Sequence, residues 1–141
     1  MDTKVFLDTN VVIDFFDPLR KEHQQARDLF TLIENNETLG FVSETVLNTA
    51  VYILRKQFSV AELKEILVDF LSIVFLLPCS NKSYLQCLKA AGNDIEDALL
   101  YQLALENNLD YFITEDKRGF KKILSRELPV VTTREFLNIN R

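Results

Sequence analysis

The feature that most restricts this chain is a set of short apolar runs that show no polar alternation. They fall at residues 4–7 (Lys-Val-Phe-Leu), 39–42 (Leu-Gly-Phe-Val), 73–77 (Ile-Val-Phe-Leu-Leu), 111–114 (Tyr-Phe-Ile-Thr) and Val130-Val131. A strand with one wet face alternates apolar and polar side chains, whereas a strand covered on both faces reads as continuous apolar sequence. Helical segments separate these runs. Pro18 suits the first turn of a helix over 19–35, with Ala26, Leu29, Phe30 and Ile33 on one face, and Asn35-Asn36 ends it. Ser43 caps a helix over 44–57, and Ser59 with Glu62 forms a capping box for one reaching 72. Ser80 opens a helix ended by Gly92, and Asp94 begins one to about 107. Residues 117–125 read as a helical turn or loop, and Thr132 or Thr133 caps a final short helix. Strands alternating with helices predict a single α/β domain over 1–141, three-layer α/β/α, with a central, mainly parallel sheet.

Composition removes several classes. The chain is 48% apolar with eleven Phe, enough for a packed core, so disorder is excluded. No apolar run approaches the roughly 18 residues that span a bilayer. The start "MDTKVFLDTN" has an apolar stretch too short, and broken by Asp8, for a signal peptide; a cytoplasmic protein with no membrane association is expected. Cys79 and Cys87 have no His or Cys neighbours at metal-ligand spacing and read as reduced, packed thiols. The net charge of −5 argues against a general polyanion binder, unless bound cations supply the positive charge locally.

Ligands of parallel sheets bind beyond the carboxyl ends of the strands. Asp8 directly follows the first apolar run, and Asp116 follows the fourth by two residues, so both are expected on that rim. Asp97 lies one turn into the helix that Asp94 begins, and helices start on the same rim. Each acid also has a plainer explanation. Asp94 reads first as an N-cap, Glu96 as a solvated first-turn acid, Asp97 as a helix-dipole partner and Asp116 as a turn residue. Asp8 lacks one, because burying a carboxylate costs several kcal/mol unless it is paired, and Thr9 and Asn10 alone do not neutralise it. Converging carboxylates repel, and the hard-cation remedy is Mg²⁺ or Mn²⁺. Such ions activate water and clamp a phosphodiester. The only histidine, His23, lies in the polar run "RKEHQQAR" and reads as solvated. A haloacid-dehalogenase phosphatase would need a second Asp at position 10, where this chain has Asn.

"FLDTNVVID", "DIEDALLYQLALENNLDYFIT", "ITEDKRGF" and the closing "VVTTREFL" together resemble the PIN domain, a metal-dependent ribonuclease family that includes the VapC-type toxins. The resemblance covers nearly the whole chain. It implies Asp8, Asp97 and Asp116 as catalytic, metal-binding acids holding Mg²⁺ or Mn²⁺. It implies Asn10 and Thr114 as their polar companions, with Asp94 auxiliary. It also implies an RNA substrate, an antitoxin protein as partner and a homodimer, with Phe70, Leu71, Phe75, Val51 and Tyr52 as candidate contacts. One position departs from the pattern. The family's second acid is a Glu about six residues into the helix after the second strand, and Thr49 stands there. Glu44 is five residues too early and, at 100° per residue, points about 140° away. Two readings follow: a Mg²⁺- or Mn²⁺-dependent endoribonuclease, or a catalytically weak PIN-fold module that binds RNA or protein.

Overall fold

The computed structural model describes residues 2–140. Five strands form one sheet: β1 (Thr3–Leu7), β2 (Thr38–Ser43), β3 (Val74–Leu77), β4 (Tyr111–Ile113) and β5 (Val130–Val131). Every pairing is parallel, in the order β3-β2-β1-β4-β5. β1 is therefore the middle strand, and Val5, Phe6 and Leu7 are fully buried, as their unalternated sequence requires. β3 breaks that inference. It is an edge strand, and Phe75 and Leu76 stand 54% and 47% exposed, an apolar run only half covered.

Among the described residues six helices link the strands, α1 (Thr9–Phe16), α2 (His23–Glu34), α3 (Glu44–Leu54), α4 (Val60–Leu71), α5 (Asn81–Cys87) and α6 (Ile95–Glu106), and α7 (Thr133–Ile139) follows β5. α1 packs on α2 and α3, α2 packs on α7, and α5 packs on α6. Right-handed crossovers put the β1–β2–β3 connections on one face and the β3–β4 connection on the other, because the chain then moves back across the sheet. The result is the three-layer α/β/α architecture.

Several boundaries differ from those expected. α1 was not anticipated: Val11, Val12 and Ile13 are all buried, so the helix has little polar face to reveal its period. α2 starts at His23, because Asp17–Glu22 form a pinned turn and Pro18 lies in it. α3 stops at Leu54. α5 ends at Cys87, well short of Gly92, which sits in a following bend at φ +105°, a conformation suited to glycine. The capping box at Ser59 and Glu62 is formed, as is one at Thr132 and Glu135.

Phe70, read as a candidate surface contact, is 2% exposed. It packs its ring on Phe16 and Phe30, and Phe30 stacks on Phe15 at 4.0 Å. This cluster ties α1, α2 and α4 together. Val51 is half-buried, while Leu71, Phe75 and Tyr52 are exposed. Both thiols are free; Cys87 is buried but Cys79 is exposed rather than packed. Among the described residues no helix is long and apolar enough to cross a membrane.

Candidate metal and nuclease site

The strand order reverses beside β1: the chain first builds outward through β2 and β3, then returns to add β4 on the other side. The crevice between the carboxyl ends of β1 and β4 is therefore the topological switch point, where open parallel sheets bind ligands. Leu7 pairs with Ile113, so the residues that follow, Asp8 and Thr114, leave the sheet side by side.

Asp8 is 7% exposed and caps the start of α1. Its Oδ1 accepts the Thr9 N–H at 2.8 Å, and its Oδ2 accepts the hydroxyl of the fully buried Thr114 at 2.8 Å. Thr114 Oγ1 in turn accepts from Asn10 Nδ2 at 3.2 Å and from the Asp116 N–H at 3.1 Å. Asn10 Oδ1 accepts the Glu115 N–H. One hydroxyl thus uses its single proton on Asp8 and its lone pairs to fix Asn10 and Asp116. Two hydrogen bonds do not offset the burial: desolvation holds the Asp8 carboxyl above the usual range, with the Asp116 and Asp94 charges adding to it.

Asp94 is the N-cap of α6, accepting the Asp97 N–H at 2.9 Å. Among the described residues no donor reaches the Asp97 carboxylate. Burial first, then the charges of Asp94, Asp8, Glu96 and Asp116, push Asp97 up to about 7. Its Oδ2 lies 2.9 Å from where a Cβ on Gly119 would stand, and Asp116 Oδ2 lies 3.7 Å from that point. Gly119 belongs to the 3-10 turn Lys117–Phe120 after Asp116. The turn is anchored by Phe120, which is buried against Phe112 of β4 with ring centroids 4.6 Å apart. The missing side chain at Gly119 is what lets the two carboxylates approach.

These groups open into one cavity of about 330 Å³, walled by Asp8, Thr9, Asn10, Asp94, Glu96, Asp97 and Asp116 with Ile13, Arg20, Ile53 and Phe120. Its distinctive property is five carboxylates from three parts of the chain. Glu96, expected as a solvated acid, is exposed but borders this cavity, and burial and the Asp94 and Asp8 charges raise its carboxyl. The oxygen-rich donor set suits a hard divalent cation. Among the described residues no three Asp, Glu, His or Cys side chains are gathered tightly enough to ligate one ion directly. A Mg²⁺ ion keeps several of its waters, so carboxylates spread around a cavity fit it through water as well as by direct contact. A larger cavity of about 480 Å³ lies away from these acids, walled by Phe15, Phe16, Ile66, Phe70 and Ile73 among others.

Glu44 borders a different cavity, with Leu77, Pro78 and Cys79. Thr49 is half-buried, and the α3 residue in the wall of the acidic cavity is Ile53, one turn further on. His23 is half-buried rather than solvated, its Nδ1 2.8 Å from the Asp14 carbonyl oxygen. Sequence reading missed Gly119, Phe120 and Ile53 as site residues, because none carries chemistry of its own. It also missed Arg20 and its partner Asp14, a pair visible only once α1 and its turn are placed.

A PIN domain family model matches residues 4–118. The chain belongs to the PIN domain family. It is 28% identical over 138 residues to Ribonuclease VapC1 of Aquifex aeolicus, covering 94% of this chain and 92% of that protein. VapBC2 of Rickettsia felis, solved bound to a promoter DNA fragment, contains a chain that matches this PIN domain with a TM-score of 0.68 at 19% identity, over 92% of this chain and 98% of the other. A toxin–antitoxin complex from Klebsiella pneumoniae gives 0.64 at 20% identity, over 92% and 97%. VapC20 of Mycobacterium tuberculosis, described as a toxin that cleaves the sarcin–ricin loop, gives 0.62 at 11%, over 77% and 86%. At these identities the structural likenesses speak to the PIN fold alone.

Proposed function

We propose that this PIN domain is a divalent-metal-dependent endoribonuclease and the toxin half of a toxin–antitoxin pair. The observation that carries the reading is the cavity at the switch point. Asp8, Asp97 and Asp116 converge there with Asp94 and Glu96, and Asp97 is raised to about 7 with no donor among the described residues on its oxygens. Such an arrangement is costly for the protein alone and is relieved by a bound cation. Asp8, Asp97 and Asp116 would hold Mg²⁺ or Mn²⁺. When bound, the ion supplies polarisation of water and compensation of the charge that builds on a phosphodiester. Thr114 and Asn10 hold the Asp8 carboxylate and the Asp116 backbone in place, so the acids face the ion without reorganising. Asp94 fixes the first turn of α6 and with it Asp97.

The family match and the kinship with a ribonuclease support the activity. The likeness to toxin–antitoxin complexes supports an antitoxin partner. A homodimer is the further expectation, with exposed Leu71, Phe75 and Tyr52 as contacts.

The second reading, a weak or degenerate module for RNA or protein binding, rests on Thr49 at the position where a further Glu is expected. RNA cleavage assayed with Mn²⁺, with Mg²⁺ and with EDTA separates the two. The nuclease reading requires metal-dependent cleavage that Asp8→Asn abolishes while thermal stability holds or rises, since a buried like charge has been removed. RNA binding without cleavage in either metal leaves the binding module. An Asp8→Asn variant that cleaves as the parent does removes the metal mechanism.

A further inference from the structure

Among the described residues the wall of the acidic cavity contains one cation, Arg20. It stands in the turn between α1 and α2, and that turn is tied down throughout. Asp17 Oδ1 accepts the Leu19 N–H at 3.0 Å, and its Oδ2 accepts from Gln57 Nε2 of the segment after α3 at 3.1 Å. The Arg20 N–H donates to the Asp17 carbonyl, and the His23 N–H donates to the Arg20 carbonyl. The side chain is held as firmly: Arg20 Nε donates to Asp14 Oδ1 at 3.0 Å, with Asp14 only 5% exposed and Arg20 42% exposed.

This arrangement uses one edge of the guanidinium and leaves the other open. Neither Nη group donates a hydrogen bond to any described residue. Arg20 also makes no ion pair with the five cavity acids; its salt-bridge partner is Asp14. Burial keeps the Asp14 carboxyl above its usual range, although the hydrogen bond and charge of Arg20 act the other way. An ion pair with one buried and one exposed partner is weak evidence for stability, because desolvation of the buried carboxylate offsets much of the attraction. Its clear effect is geometric: a permanently charged fork with free donors, fixed beside an acidic cavity on a chain of net charge −5. Arginine presents paired N–H donors that match phosphate oxygens, which a lysine does not reproduce.

We propose that Arg20 is a substrate-contacting residue of this site. Its Nη groups bind a nonbridging oxygen of an RNA backbone phosphate at the cavity mouth, and Asp14 is its positioning residue. The inference rests on the ribonuclease reading and adds to it the group that draws a polyanion to an acidic protein. A backbone contact of this type fixes register without reading sequence.

The test is steady-state cleavage of a fluorescein-labelled, mixed-sequence single-stranded RNA in Mn²⁺ across a KCl series. The parent is compared with Arg20→Gln, Arg20→Lys and Asp14→Asn, and thermal unfolding is followed in parallel. Arg20→Gln is expected to lower kcat/KM at least tenfold, mainly through KM. It should also flatten the dependence of log kcat/KM on log[KCl] by about 0.7, the slope of one single-strand phosphate contact. Arg20→Lys should keep the salt slope and recover only part of the rate. Asp14→Asn should lose less than Arg20→Gln, and the double variant should be no worse than Arg20→Gln, as for two residues acting through one contact. A parent that does not cleave in Mn²⁺ overturns the ribonuclease reading and this proposal with it. A cleaving parent whose Arg20→Gln variant keeps its KM and salt slope, even with altered unfolding, overturns the proposal alone; if Arg20→Gln does not fold, an Arg20→Lys variant with the parent's kcat/KM overturns it.

Discussion

Asp97 stands among four other carboxylates with no donor among the described residues on its own oxygens, and its pH response follows from that. In the unfolded chain it titrates near its ordinary 3.8, and in the folded protein at about 7. Between those values the folded state holds a proton that the unfolded state lacks, so the stability it contributes is full at low pH and lost as pH rises through 7. Asp8, Asp14 and Glu96 are shifted the same way, while Asp17, Glu62 and Glu135 are lowered and act below the window. In EDTA, the unfolding free energy is expected to fall between pH 5 and pH 8 by about 1–2 kcal/mol. Each tenfold change in proton affinity is worth ~1.4 kcal/mol, and solvent screening reduces the total at this half-buried group. Denaturant titrations at the two pH values measure it, and Asp97→Asn should flatten the fall. Gly119 makes a complementary case. A methyl group there meets the end of the Asp97 side chain at 2.9 Å, a flexible carboxylate rather than backbone. Gly119→Ala should therefore change stability by less than about 1 kcal/mol yet weaken Mn²⁺ binding about 10–100-fold, as displaced support of a ligand does. Calorimetric titration of Mn²⁺ into both proteins checks this.

At the scale of elements, α3 decides whether the acid set can be extended. Thr49 and Ile53 lie four residues apart and so share a face, and Ile53 borders the acidic cavity. Thr49→Glu is expected to tighten Mn²⁺ binding, because hard cations respond to added carboxylates; unchanged affinity in a folded variant would show that the second acid does not limit this site. The same element shows how far sequence carries. The register of α3, the Ser43 cap and the exposed Glu44 follow from spacing and capping chemistry. The rim shared by Asp8, Asp97 and Asp116 follows from strand direction and from where the Asp94-capped helix starts. α1 escaped because "TNVVIDFF" buries Val11, Val12 and Ile13 together, which erases the polar face that marks a helix. β3 misled in the opposite direction, since an apolar edge strand and a covered one have the same sequence signature. The Arg20–Asp14 pair depends on the path of a turn, and spacing does not encode that path.

For the whole molecule, two structures share the work. The aromatic cluster of Phe15, Phe16, Phe30 and Phe70 holds α1, α2 and α4 together away from the acids. Phe30→Ala should cost about 3–5 kcal/mol by chemical denaturation, while leaving kcat close to the parent value at temperatures where the variant is folded. The site depends instead on the sheet order. β1, which delivers Asp8, has β4 as one neighbour, and between them lie more than a hundred residues of chain. Synthesis reaches Asp8 more than a hundred residues before it reaches Thr114 and Asp116. A chain stopped between those positions carries Asp8 without the Thr114 hydroxyl or Asp116, and one stopped before residue 97 lacks Asp97 as well. Domains generally fold as units during synthesis, and this centre is complete only once β4 has joined β1 in the sheet. A partial chain thus holds β1 and its Asp8 but no completed acid centre, a consequence of the strand order.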